Sequence, residues 1–146
     1  MKKLILSSAV LFCIIATSCK KDKNKSCDKT MALIAGTYSI VKSEVGLNGN
    51  FVDVTSEDFE PCELDDKLTL NANGTTVYKD LGTLCDPQGD DTGTWSITTA
   101  GKIIIGGVDN LDTIEADITS FDCSTLVFTG DIDGGSGAQS RFTIKK

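Results

Sequence analysis

The chain has 146 residues, six cysteines, no histidine and a formal net charge of −7. This length argues for one domain, and without histidine there is no Ser-His-Asp triad, no Cys-His pair and no imidazole metal site. The acidic balance argues against nucleic-acid binding, which draws on clustered Lys and Arg.

Residues 1–18 read as a signal segment outside the fold. Lys2 and Lys3 give a positive start, Leu4 to Ala16 is an apolar run broken by Ser7 and Ser8, and the small residues Thr17 and Ser18 precede Cys19. That order is the pattern of a secretory signal. The apolar run of about thirteen residues falls short of the roughly 20 that a membrane-spanning helix needs. Ala16-Thr17-Ser18-Cys19 resembles a bacterial lipobox, with Ala16 where leucine is usual. The resemblance implies cleavage before Cys19, lipidation of its thiol, and a lipid bilayer as partner through acylated Cys19. An ordinary soluble signal beside a chance cysteine is the alternative.

Residues 19–31 form the anchor cysteine and a basic tether. Residues 20–29 carry five lysines and two aspartates, net +3, against −12 for residues 30–146. Such a tether can rest on anionic headgroups at about 1 kcal/mol per Lys; a solvated linker explains it as well. No acidic run follows Cys19, unlike the surface-exported lipoproteins of some Bacteroidetes-type bacteria. The expected location is therefore the cell envelope, on the outer membrane facing the periplasm.

Residues 32–146 read as strands and turns. Residues 27–35 suit one short helical turn leading into a first strand, Gly36 to Glu44, rich in β-branched residues. Asn48-Gly49 is a hairpin signal and Phe51 to Val54 follows as an appendage of the first loop. An acidic loop spans residues 55–66. Lys67 to Leu70 alternates with period two, Asn73-Gly74 turns the chain into Thr75 to Tyr78, and Gly93 to Thr98 alternates again. Lys102 to Ile105 follows Ala100-Gly101. In the segment from Asp112, Ile114, Ala116 and Ile118 share one face, with acids on the other. Ser124 to Thr129 and Ser140 to Ile144 close the chain, with Asp133 to Gly137 as a turn between them. Eight principal strands with frequent turn signals mark an all-β domain. Sequential antiparallel strands can close into an up-and-down barrel, which removes their edges.

Cys13 leaves with the signal and Cys19 takes lipid, so four cysteines remain. Cys62 precedes one hairpin and Cys85 follows it, and the hairpin brings its two ends together, which pairs Cys62 with Cys85 and leaves Cys27 for Cys123. Loop-closure estimates give roughly 3 kcal/mol for the first bridge and about 4 to 5 for the second. A thiolate zinc site is the competing reading, but no C-x-x-C knuckle is present, and export favours disulfides.

Leu33-Ile-Ala-Gly36-Thr-Tyr38 resembles the G-x-W opening of lipocalin-like first strands, with Tyr38 in place of Trp. Cys62, the acidic pair Asp65-Asp66, the strand to Leu70, Asn73-Gly74, Cys85 and Thr92-Gly93-Thr-Trp95 follow in the order seen in small lipocalin-like lipoproteins of Bacteroidetes-type bacteria. The resemblance implies an eight-stranded, disulfide-braced up-and-down barrel or half-open meander. It implies no settled function.

An eight-stranded barrel is either filled by side chains or holds one small ligand. The strands read as five or six residues long, so the cavity is expected to be shallow. Tyr38, Leu70, Trp95, Ile97 and Phe128 are the candidates for its lining or its plug. Residues 53–66 hold seven acids in fourteen positions, which is either a cation site at the barrel mouth or a solvated loop. No calcium-loop spacing is present there, and Asp131 to Gly135 lacks the further acids of an EF-hand. No catalytic constellation and no cofactor motif emerges. The expected activity is non-enzymatic binding of a small apolar or amphipathic ligand. A plugged barrel acting as a structural or protein-interaction module, such as an assembly factor or hydrolase inhibitor, is the alternative; the sequence names no protein partner.

Overall fold

The computed structural model describes residues 26–85, 89–108, 113–132 and 137–146. The signal segment 1–18 and Cys19 lie outside the described residues, as do Asp112 and most of the turn at 133–137.

A single helical turn, α1 (Met31–Ile34), leads into β1 (Gly36–Leu47). Asn48 and Gly49 both take positive φ, 52° and 84°, and turn the chain into β2 (Asn50–Asp53). Two successive left-handed residues make the turn whose twist matches the flanking strands, and Asn-Gly is the pair that tolerates it. A second single turn, α2 (Thr55–Asp58), opens the acidic loop. Then follow β3 (Lys67–Leu70), β4 (Thr75–Lys79), β5 (Asp91–Ile97) and β6 (Lys102–Gly106). The chain ends in β7 (Ile114–Phe121), β8 (Thr125–Asp131) and β9 (Ala138–Lys145).

Every pairing is antiparallel, and β9 returns to β1, so β1 and β3 to β9 close an eight-stranded barrel. β1 has one neighbour along its first edge from Gly36 to Tyr38, which is β3, and another from Glu44 to Leu47, which is β2. β2 is therefore an appendage that prolongs the wall rather than a ninth stave. The strands are less uniform than their sequence suggests: β1 runs 12 residues and β7 and β9 run 8, against 4 for β3.

Two bulges keep the long strands in phase. The pairing of β1 with β9 skips Val41, and that of β7 with β8 skips Thr119. Strict alternation would turn Lys42 and Glu44 inward after Tyr38 and Ile40. The extra residue instead sends Ser43 in and Glu44 out, and Val41 is left 52% exposed. On β7 the same device returns Phe121 to the inner face of Ala116 and Ile118. A bulge is how a strand changes facing without breaking its ladder.

The two ends of the barrel differ. Short turns at 71–74, 98–101 and 122–124 join strands at the α1 end, and the longer connections 54–66, 80–90 and 107–113 leave and rejoin the wall at the other. The α1 end is plugged. Ile34, Tyr38, Leu70, Trp95 and Phe121 are buried there, and the Tyr38 hydroxyl donates to the Ile34 carbonyl. Burial raises the Tyr38 phenol to about 12. Trp95 Nε1 donates to Asn71 O at 2.8 Å, satisfying a polar edge that a buried indole must place. Cys27 is bonded to Cys123 (Cα–Cα 5.4 Å) at this end, and Cys27 N donates to Phe121 O.

Candidate functional site: an apolar cavity at the barrel mouth

The inner faces at the opposite end enclose a cavity of about 330 Å³. Its walls are Ile40 of β1, Leu68 of β3, Tyr78 of β4, Ile105 of β6, Ile114 of β7, Phe128 of β8, and Phe142 and Ile144 of β9. Phe128 and Phe142 are cross-strand partners with ring centroids 5.6 Å apart. The size falls at the lower end of the range for small-molecule sites, and a mostly apolar lining is their usual composition.

β5 gives no side chain to this lining, and Gly93 is the reason. A Cβ at Gly93 would stand 2.2 Å from Gly106 O and 2.8 Å from Val108 Cγ2. The bare position lets the connection after β6 fold against β5, and Val108 reaches the cavity from there. The glycine of the Gly93-Thr-Trp95 sequence is thus a close-approach position.

The acidic loop covers the mouth. Asp58, Phe59 and Glu63 line the cavity from it. Several bonds fix its start: Val54 N donates to Ser43 O at 2.9 Å, Ser43 N to Thr55 Oγ1 at 3.0 Å, and the buried Ser43 hydroxyl to Asp58 Oδ2 at 2.5 Å. Asp53 Oδ1 accepts from Thr55 N, a local bond that Asp makes readily. Cys62, bonded to Cys85 with Cα atoms 5.5 Å apart, ties the loop to the connection after β4. Asp65 Oδ2 accepts from Thr83 N at 3.1 Å and Asp66 Oδ1 from Leu81 N at 2.8 Å, adding two further ties.

These acids act as hydrogen-bond acceptors of the loop. Among the described residues, Asp66, Asp80 and Cys85 are the group whose ligand atoms converge, within 4.8 Å of one another. The Cys85 sulfur is committed to its disulfide, and both Asp66 oxygens already accept, from Leu81 N and from the Tyr78 hydroxyl. Two carboxylates fall well short of the six to eight oxygens calcium takes.

Of the five residues singled out from the sequence, Phe128 stands on the cavity wall. Tyr38, Leu70 and Trp95 lie in the plug, and Ile97 packs against the same core. Sequence reasoning passed over Ile40, Leu68, Ile105, Ile114 and Phe142. The signal was the alternation of short and long connections, because alternate connections of an up-and-down barrel share an end.

The model of the lipocalin-like domain family matches residues 34–128 of this chain, more than half of it. The chain belongs to the lipocalin-like family. The match opens at Ile34, in the plug, and runs through the closed wall to Phe128 on β8; β9, which completes the lipocalin-like barrel, follows it. No curated protein and no solved structure matches the chain. A lipocalin-like barrel suggests a binding module, and its interior is where that binding is to be sought.

Proposed function

We propose that this protein is a membrane-anchored envelope lipoprotein whose barrel binds a small apolar or amphipathic ligand and catalyses no reaction. The observation that carries the binding reading is the apolar cavity of about 330 Å³ under the acidic loop. A plugged barrel would have filled that volume with side chains. The leader supports the anchor: Lys2-Lys3, the apolar run and Ala16-Thr17-Ser18-Cys19 stand in the lipoprotein order.

A neutral apolar fluorophore tests the cavity. It is expected to brighten on binding, and Ile40→Trp, which fills the volume, to abolish the signal while leaving the melting temperature near that of the parent. Native mass spectrometry of the purified protein would also show a co-purifying small molecule. Incorporation of radioactive fatty acid in cells tests the anchor. Label is expected in the parent and absent in Cys19→Ala; label that survives the substitution sinks it.

The protein-interaction reading draws on the outer face. Val45, Leu47 and Val52 are exposed together on the β1–β2 hairpin, with Val45 and Val52 cross-strand partners. A barrel that takes up no apolar molecule, combined with a partner lost on Val52→Lys, would favour it.

A further inference from the structure

We propose that the ligand is an apolar amine, held by its hydrocarbon part in the barrel and by its positive head at the acidic loop. The inference rests on the cavity reading above and adds the sign of the ligand's charge. The inner walls are largely hydrocarbon, as at Ile105, Ile114 and Phe142, and the Tyr78 hydroxyl is given to Asp66. The charged side chains that reach the cavity are Asp58 and Glu63, both acids; among the described residues no Lys or Arg lines it. Among the described residues Ser43 bonds the Asp58 side chain, and only at Oδ2, so the carboxylate is held at the rim with Oδ1 left for a ligand.

The surroundings act in the same direction. Residues 53–66 hold seven acids and no base, and a cleft lined by one sign of charge concentrates ions of the other. A carboxylate headgroup, as on a fatty acid, would meet that field at close range with no cation to receive it. An ammonium would donate a charge-assisted hydrogen bond to Asp58. The rings of Phe59 and Tyr78 also line the cavity, and aromatic faces attract cations.

Three probes of equal chain length separate charge from apolarity: decylamine, decanol and decanoate, each displacing a neutral apolar fluorophore from the purified protein at neutral pH. The amine is expected to bind about tenfold tighter than the alcohol and the acid weaker than either. High salt should narrow that gap in the unaltered protein. Asp58→Asn with Glu63→Gln should close the gap between the amine and the alcohol. Equal binding of all three, or tighter binding of decanoate, overturns the amine assignment while the cavity reading stands. An amine preference that persists at high salt or in the double variant overturns it as well. Displacement by none of the three overturns both.

Discussion

Glu44 and Arg141 are direct cross-strand partners on the β1–β9 seam that closes the barrel, and Arg141 Nε donates to Glu44 Oε2 at 2.6 Å. Lys42 Nζ takes the other oxygen at 2.7 Å, and the Arg141 guanidinium lies 3.9 Å from the centre of the Phe51 ring. One carboxylate thus joins β9, β1 and the β2 appendage. It faces outward only because the Val41 bulge has reversed the alternation.

The Arg141 and Lys42 hydrogen bonds hold the Glu44 carboxyl at about 2, below its ordinary 4.5. A carboxyl lowered in the folded state stabilises the fold above its unfolded pKa, and that contribution is lost as pH falls towards the folded value. Stability should therefore decline between about pH 4.5 and 2. The exposed Asp122, held at about 2 by the backbone N–H groups of Thr125 and Ser124, acts in the same window. Glu44→Gln is expected to lose roughly 1 to 2 kcal/mol at neutral pH and to converge with the parent near pH 2. Urea titrations followed by the fluorescence of Trp95, the chain's one tryptophan, measure both. A constant difference across the window would refute the assignment.

Thr76 is fully buried opposite Leu70, and its hydroxyl has no hydrogen-bond partner among the described residues. An unpartnered buried hydroxyl costs about 1 to 3 kcal/mol. Thr76→Val keeps the shape and removes the polar atom, so it should raise the urea midpoint. A fall would mean that the hydroxyl has a partner.

The two disulfides should differ in worth. Cys27 and Cys123 are 96 residues apart in sequence and Cys62 and Cys85 are 23 apart. Loop-closure entropy makes the first bridge stronger by about 1 kcal/mol. The shorter bridge ties the loop that covers the mouth to the connection after β4, so Cys62→Ser with Cys85→Ser should also weaken binding of the apolar fluorophore. Cys27→Ser with Cys123→Ser should lower stability more and leave that affinity intact. The reverse ranking would be visible in the same two titrations.

Gly93→Ala should destabilise the barrel by about 1 to 3 kcal/mol, because backbone at Gly106 has to move. Gly49→Ala meets no atom within 4 Å but sits at φ 84°, so its cost is the turn conformation alone. Gly93→Ala is expected to perturb ligand binding through Val108, and Gly49→Ala is not. Paired melts and probe titrations on the two variants check this.

The barrel was legible because its signals are local. Asn48-Gly49, Asn73-Gly74 and the alternation of Lys67 to Leu70 each report on a few residues, and antiparallel neighbours follow from short connections. The appendage at Phe51 to Val54 could be read for the same reason. The cavity was less legible. Trp95 and Ile105 are both inward-facing apolar residues, and their alternation says nothing about which end of the barrel each occupies. That depends on the phase of eight staggered strands and on two bulges, at Val41 and Thr119, that no local signal marks.

The chain approaches the barrel through Cys27, which is fastened to Cys123 at the plugged end. Six residues lie between Cys19 and Ser26, a leash of at most about 25 Å when fully extended. A lipid on Cys19 would therefore hold the plug toward the bilayer and leave the acidic mouth pointing into the aqueous space. Cargo would then be exchanged with molecules arriving from solution or from a facing partner, and not drawn up from the membrane beneath.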